Sequence, residues 1–204
     1  MIKNIIFDFG NVIFKWNEEE ITKNFTEKVE EQQILKNVIF KSKEWIQLDE
    51  GLLDYNSAIK IFKNSIPTNL DINVENIMNT WYYKMPINDK ICELIKKLKI
   101  NGYKIYGLSN THICVYEYVK KLEIGKYFDG FIISSIEKMM KPNDDIYKRL
   151  FEKYNLKPNE SFFIDDSEKN ITASRNLGME GYIFDIDNFD KLEEELLKNK
   201  ISIS

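Results

Sequence analysis

Arginine is nearly missing from this chain: Arg149 and Arg175 are the only two among 204 residues, and lysine supplies the rest of the positive charge. Together with plentiful Ile and Asn, that skew reads as base composition of the gene rather than as chemistry. No basic block occurs either. With 29 basic against 33 acidic residues and a net charge of −4, nothing marks a nucleic-acid face, and nucleic acid is not expected as a partner. No stretch approaches the roughly 20 apolar residues that a membrane span requires. Met1-Ile2-Lys3-Asn4 enters an apolar run directly, with no charged leader or cleavage site, so a soluble, cytoplasmic protein is expected. The two cysteines, Cys92 and Cys114, lie far apart in predicted helices and form neither a C-x-x-C pair nor a metal-ligand cluster; they read as reduced, packed thiols. Internal repeats, low-complexity tracts and flexible linkers are lacking too.

What is present is an alternation of apolar strands and amphipathic helices from Ile87 onward. Asn88 can cap a helix whose apolar positions Ile91, Leu94, Ile95 and Leu98 recur at helical spacing, with Gly102 as its left-handed exit. A strand is predicted over 103–108, then a helix with Val115, Val119 and Leu122 inward. Phe128-Asp129-Gly130 turns into a strand at 131–134, and a helix around 143–154 follows Pro142. Pro158 precedes a strand at 161–165, Gly178 ends the next helix, and a short strand at 181–184 leads to a helix at 188–199. Such alternation predicts an α/β fold with a doubly wound, parallel sheet. Between Trp16 and Tyr83 the strand signal disappears. Asn17 before Glu18-Glu19-Glu20, and Asp54 before Ala58, Ile59 and Phe62, are helix starts. The expected division is a core of residues 1–15 and 84–204, with a helical cap of residues 16–83 inserted after the first strand to screen a pocket.

Polar residues sit where the apolar runs stop. Asp8 ends Ile5-Ile6-Phe7, Ser109 ends Ile105-Tyr106-Gly107-Leu108, Asp165-Asp166 end Phe162-Phe163-Ile164, and Lys141 stands beside Pro142. Open α/β sheets bind ligands at the carboxyl ends of their strands. A carboxylate, a hydroxyl, an ammonium and a carboxylate pair suit a phosphoryl group and a divalent cation. Each residue also has a plainer role available: Asp8 beginning a turn, Ser109-Asn110 and Asp166-Ser167 capping the helices that follow, and Lys141 as a solvated charge.

In order and strand placement, FDFGNVI, LSNT, KP and FFIDDSEKN resemble the motifs of the haloacid dehalogenase superfamily, over nearly the whole chain. The pattern is similar to its bacterial α-D-glucose-1-phosphate phosphatases and to the phosphatase domain of soluble epoxide hydrolases. The resemblance implies a Rossmann-like core with a C1 cap, and Mg²⁺-dependent hydrolysis of a small phosphorylated metabolite such as a sugar phosphate. Asp8 would be the nucleophile that forms an aspartyl-phosphate. Mg²⁺ would take Asp8, the backbone carbonyl of Gly10 and Asp166, with Asp165 as a second ligand or an orienting group. Ser109 and the backbone around Asn110 would hold phosphoryl oxygens, Lys141 would neutralise charge, and Asn170 would orient a carboxylate or a metal-bound water. A monomer or a homodimer is expected.

Gly10 departs from the family pattern, which usually places a second Asp there to protonate the leaving alkoxide and later activate water. His112, the single histidine, either replaces that acid at the pocket mouth or faces solvent in a helix's first turn. Trp16, Trp45, Trp81, Tyr82 and Tyr83 read as core filling rather than as a sugar platform, and Glu18, Glu19 and Glu20 as a solvated first turn. The alternatives are a catalytically weak phosphate-binding or interaction protein that lost turnover with the second Asp, a carbon–halogen hydrolase, and a phosphomutase. The adjacent acids at 165 and 166 argue against the halide reaction, which needs no metal. A receiver domain would carry its acidic pair on the first strand, whereas here the pair comes last.

Overall fold

The computed structural model describes residues 1–203. Its five strands are β1 (Asn4–Phe7), β2 (Lys104–Ser109), β3 (Gly130–Ile133), β4 (Ser161–Asp165) and β5 (Glu180–Ile183). They form one parallel sheet in the order β3-β2-β1-β4-β5. Continuous apolar runs such as Ile5-Ile6-Phe7 suit strands buried on both faces. Side chains alternate accordingly. Ile5, Phe7, Ile105, Phe162 and Ile164 enter one apolar cluster, whereas Ile6, Tyr106, Leu108 and Phe163 enter another on the opposite face. The second cluster is closed by Ile146, Tyr147 and Leu150 of helix Asp144–Tyr154 and by Ile171 of helix Glu168–Asn176. The sheet is therefore covered on both sides, as a doubly wound fold requires.

Helix Asp89–Ile100 shows how local chemistry fixes these elements. The Asn88 side chain accepts from the Ile91 N–H at its start, Lys97 and Lys99 occupy its last turn, and Gly102 follows at φ +88°. Ile91, Leu94, Ile95 and Leu98 are buried against the first face of the sheet.

From Glu18 to Lys84 every regular element among the described residues is helical, including a π turn at Lys36–Phe40 and short 3₁₀ turns at Thr68–Leu70 and Trp81–Lys84. The Asn17 side chain accepts from the Glu19 and Glu20 amides, and Asp54 from that of Ser57, so both expected caps form. The chain leaves and re-enters the sheet layer at one place, where the Lys15 N–H donates to Pro86 O and the Asn88 N–H to Ile13 O, each at 2.8 Å. Phe62, Val74 and Met78 of the insert belong to the same apolar cluster as Ile5 and Phe7. One further tie holds the insert down. Gly51, at φ +73°, lies so close to the short helix Ser134–Glu137 after β3 that a Cβ would stand 2.2 Å from Ser135 O, an approach open only to glycine. The Ser134 hydroxyl donates to the Asp49 carbonyl beside it. No helix among the described residues is long and apolar enough to cross a membrane.

Candidate active site

Parallel pairing in register brings the ends of β1, β2 and β4 to one edge, with Phe7 beside both Gly107 and Ile164. The Asp8 N–H continues the ladder by donating to Ile164 O at 2.9 Å. Asp8, Ser109 and Asp165 are thereby delivered together, and all three are buried.

Lys141 lies beneath them, its side chain 1% exposed. Its ammonium stands 2.7 Å from Asp165 Oδ2 and 2.9 Å from Asp8 Oδ1, and it donates to Leu108 O at 2.9 Å. The approach to Asp8 Oδ1 is off the axis of a directed hydrogen bond, and that oxygen has no other hydrogen-bond partner. Burial pushes the Asp8 carboxyl up to about 6, with the Lys141 charge opposing and the Asp165 charge adding to the rise. Burial by itself would lower the Lys141 ammonium, yet its two carboxylate neighbours hold it above the ordinary lysine range. Lys141 is thus a buried, paired cation and not a solvated charge. Asn110 fixes its backbone, accepting from the Lys141 N–H and donating to the Lys141 carbonyl, each at 2.8 Å.

The two neighbouring acids differ. Asp165, fully buried, accepts from Lys141, from the Ser167 N–H at 2.8 Å and from Asn170 Nδ2 at 2.9 and 3.1 Å. Its oxygens are committed to protein donors, which is the geometry of an orienting group. Asp166 is partly exposed and accepts from Asn11 Nδ2 at 2.9 Å. Burial raises its carboxyl, with the Asn11 amide pulling the other way. One carboxylate oxygen from each of Asp8, Asp165 and Asp166 lies within 4.8 Å of the others. Such an all-oxygen set fits a hard divalent cation.

Asp8, Gly10, Ser109, Asn110 and Asp166 line one cavity of about 260 Å³. Its other wall comes from the insert, with Trp16, Phe40, Trp45 and Trp81 packed on one another at centroid distances from 4.8 to 6.5 Å. These rings fill the core and face the cavity at once, whereas Tyr82 and Tyr83 pack on Tyr118 outside it. Glu18 also reaches the wall and pairs with Lys41 at 2.8 Å, so the first turn of that helix is not uniformly solvated.

His112 occupies neither place expected for it. It is the N-cap of helix Ile113–Lys121, its Nδ1 accepting from the Cys114 N–H at 3.3 Å, and its ring stacks on Tyr55 at 4.8 Å. Burial lowers it to about 4, leaving a neutral, partly buried ring that is absent from the cavity lining. His112 also preempts the capping role read for Ser109-Asn110. Likewise Ser167, at the start of helix Glu168–Asn176, makes no side-chain cap bond.

Two residues at the site were given no role in the sequence reading. Asn11, at φ +51°, donates to Asp166 and accepts from the Trp16 N–H at 3.1 Å. Its signal was available, because Asn is among the few residues that adopt this backbone region readily. Asp49, at the end of helix Lys43–Asp49, lines the cavity from the insert side, and no spacing or neighbour in the sequence distinguishes it. Gly10 needs no unusual backbone angle, and a Cβ there would meet no atom within 4 Å.

Comparison with known proteins agrees with this architecture. Residues 2–178 match the family model of the haloacid dehalogenase-like hydrolases. A sesquiterpene phosphatase of Aspergillus oryzae is 25% identical over 182 residues, 88% of each chain. D-ribitol-5-phosphate phosphatase of Bacteroides thetaiotaomicron is 24% identical, covering 89% of this chain and 91% of its own. A haloacid dehalogenase family enzyme of the same bacterium, solved with magnesium and inorganic phosphate, superposes with a TM-score of 0.70 at 26% identity, over 91% of this chain and 96% of that one. A predicted hydrolase of this type from Porphyromonas gingivalis gives a TM-score of 0.74 at 23% identity, over 97% and 98%. With the family model covering β1 to β4, the strand-end carboxylates and the buried lysine, the chain belongs to the haloacid dehalogenase-like hydrolases.

Proposed function

We propose that this hydrolase is a Mg²⁺-dependent phosphomonoesterase that cleaves a small phosphorylated metabolite through an aspartyl-phosphate on Asp8. The observation that carries the reading is the convergence of Asp8, Lys141 and the Asp165–Asp166 pair on one strand edge, beneath a cavity. Asp8 and Asp166, with the Gly10 carbonyl, would hold Mg²⁺, while Asp165 is spent on orienting Lys141 and Asn170. Bound Mg²⁺ supplies counter-charge for the phosphoryl oxygens. Ser109 and the backbone at Asn110 hold those oxygens by hydrogen bonds, and Lys141 keeps Asp8 ionised and in place for attack at phosphorus. The phosphatase names of several relatives, and magnesium with phosphate in a structural neighbour, support this reading.

Residues 16–83 act as a cap over a core of 1–15 and 84–204. Their aromatic wall and the limited cavity volume favour a small leaving group, of which a sugar phosphate is our first choice. D-ribitol-5-phosphate phosphatase is a relative in keeping with that choice, and a sesquiterpene phosphatase sets the apolar alternative beside it. The working protein is taken as a cytoplasmic monomer or homodimer.

A panel of sugar, flavin and terpenyl phosphates, assayed with and without Mg²⁺ beside Asp8→Asn, tests the reading. Expected are Mg²⁺-dependent phosphate release by the wild type and a loss on the order of 10⁴-fold or more in the variant. Turnover by Asp8→Asn at the wild-type rate would remove the nucleophile. Phosphate and Mg²⁺ binding without hydrolysis of any ester would favour the second reading, a phosphate-binding protein that lost turnover with the carboxylate missing at Gly10.

A further inference from the structure

The missing acid at position 10 leaves a chemical gap, because an alkoxide expelled from phosphorus needs a proton and the phosphoenzyme then needs an activated water. Among the residues that line the cavity, the titratable ones are Asp8, Asp166, Glu18 and Asp49. Asp8 is the nucleophile and Asp166 belongs to the cation site. Glu18, though burial acts to raise it, is brought below the usual carboxylate range by hydrogen bonds from Lys41 and the Trp16 side chain, so it carries no proton to give. His112 and Cys114, on the neighbouring helix, do not reach the cavity.

We propose that Asp49 is the general acid and base of this hydrolase, acting on the leaving oxygen from the insert side of the cavity. The inference rests on the phosphatase reading above. Its first support is the anchoring of Asp49 to the sheet side of the cavity. Its carbonyl accepts from Ser134, whose hydroxyl also accepts from the Thr111 N–H at 2.8 Å; the His112 backbone N–H acts on its carboxylate, opposing the rise from burial; and Gly51 abuts Ser135. The acid is thus tied to the loop after β2 and the short helix after β3, so its place relative to Ser109 is set by the core and not by the freedom of an inserted helix. Its second support is environment. No lysine or arginine lines the cavity, and burial holds the Asp49 carboxyl at about 8, leaving it protonated at neutral pH.

The steps balance around one carboxyl group. Asp8 attacks phosphorus, the bond from phosphorus to the ester oxygen breaks, and that oxygen leaves with the Asp49 proton. In-line geometry places both the departing alcohol and the incoming water opposite Asp8. The Asp49 carboxylate therefore meets the water where it met the alcohol, takes a proton from it, and the oxygen–phosphorus bond to water forms as the Asp8–phosphorus bond breaks. Free Asp8, protonated Asp49 and inorganic phosphate remain.

The test compares two esters on the full-length chain with Mg²⁺: an alkyl phosphate, whose alkoxide needs a proton, and 4-nitrophenyl phosphate, whose phenolate does not. First-turnover release of the alcohol is followed in wild type and Asp49→Asn, which keeps the size of the side chain and one of its oxygens. The expected result is a loss of about 10²- to 10⁴-fold for the alkyl ester, with less than about tenfold for the nitrophenyl ester. Equal losses for both esters, or none, would overturn the assignment. Should the variant fail to fold, the wild type suffices: a rate that varies little across esters of rising alcohol pKa supports an enzymic proton donor, and a steep fall overturns it. A wild type that hydrolyses neither ester would overturn the phosphatase reading first, whereas a working wild type with a steep fall removes Asp49 alone.

Discussion

At the sheet edge, Asp8, Ser109, Lys141 and Asp165 are buried polar groups that strand register and hydrogen bonds bring together. Across the cavity the insert presents Trp16, Phe40, Trp45 and Trp81, which touch mainly one another. The edge depends on charge compensation, so any one of its members leaves a neighbour unpaired when removed. The wall depends on contact area, which a similar ring largely restores. Chemistry placed on the edge and selectivity placed on the wall can therefore vary separately. Asp49 is the exception that joins them, a polar group of the insert fastened to the loop after β2 and the short helix after β3.

The largest break in this contrast is Lys141→Met. It leaves Asp8 and Asp165 buried without their shared cation, and removing one partner of a buried ion pair costs about 3–5 kcal/mol. Chemical denaturation is expected to register a loss of that size, whereas Trp45→Phe, a ring-for-ring change in the wall, should cost far less and act on which ester is preferred. A Lys141→Met protein as stable as wild type would show that the edge does not depend on compensation.

Asn11→Gly gives the next effect. Residue 11 sits at φ +51°, which glycine adopts freely, so the change removes the amide on Asp166 without straining the turn. Partners that orient metal ligands are typically worth about 10- to 100-fold in metal affinity. A Mg²⁺ titration by calorimetry should show a weakening within that range, and unchanged binding would put Asp166 outside the cation site.

Asp49 sharpens the comparison through pH. Burial raises its carboxyl to about 8 in the folded chain, while an unfolded aspartate titrates near ~3.9. Between those values the folded state keeps a proton that the unfolded state has lost. The contribution to stability is therefore fully present below about pH 4 and is lost as pH rises toward about 8. Asp49→Asn has no such loss, so its melting temperature relative to wild type should climb across this window. Asp8, raised to about 6, slopes the same way but is common to both proteins and cancels in the difference. A constant difference from pH 4 to 8 would mean that Asp49 is solvated and ionised in the fold.

Much of the edge was legible in the sequence because local rules produce it. The strand read at 161–165 is β4, Asn88 caps its helix, and each polar residue that ends an apolar run reaches the same rim. The insert was legible only as helix. Its π turn at Lys36–Phe40, the cavity-facing rings and the Asp49 carboxylate depend on contacts with segments distant in sequence, such as Ser134 and His112, for which neither period nor spacing leaves a trace. His112 was misplaced for the same reason. A histidine three residues after a candidate phosphate-binding serine looks catalytic in one dimension, but its ring is taken up by the Cys114 amide and Tyr55.

The smallest effect isolates the departure at position 10. A Cβ there meets nothing within 4 Å and the backbone angle is ordinary, so Gly10→Ala should change stability by less than about 0.5 kcal/mol. Gly51→Ala is the control: at φ +73° and with Ser135 O at 2.2 Å from the new Cβ, it should cost more than about 1 kcal/mol. If thermal melts separate the two in this way, neither space nor conformation requires the glycine of the edge. The carboxylate that the family pattern places there would then be missing for a chemical reason, as expected where another residue holds the proton. A large loss in Gly10→Ala would instead make the glycine a packing requirement and leave the gap unexplained by chemistry.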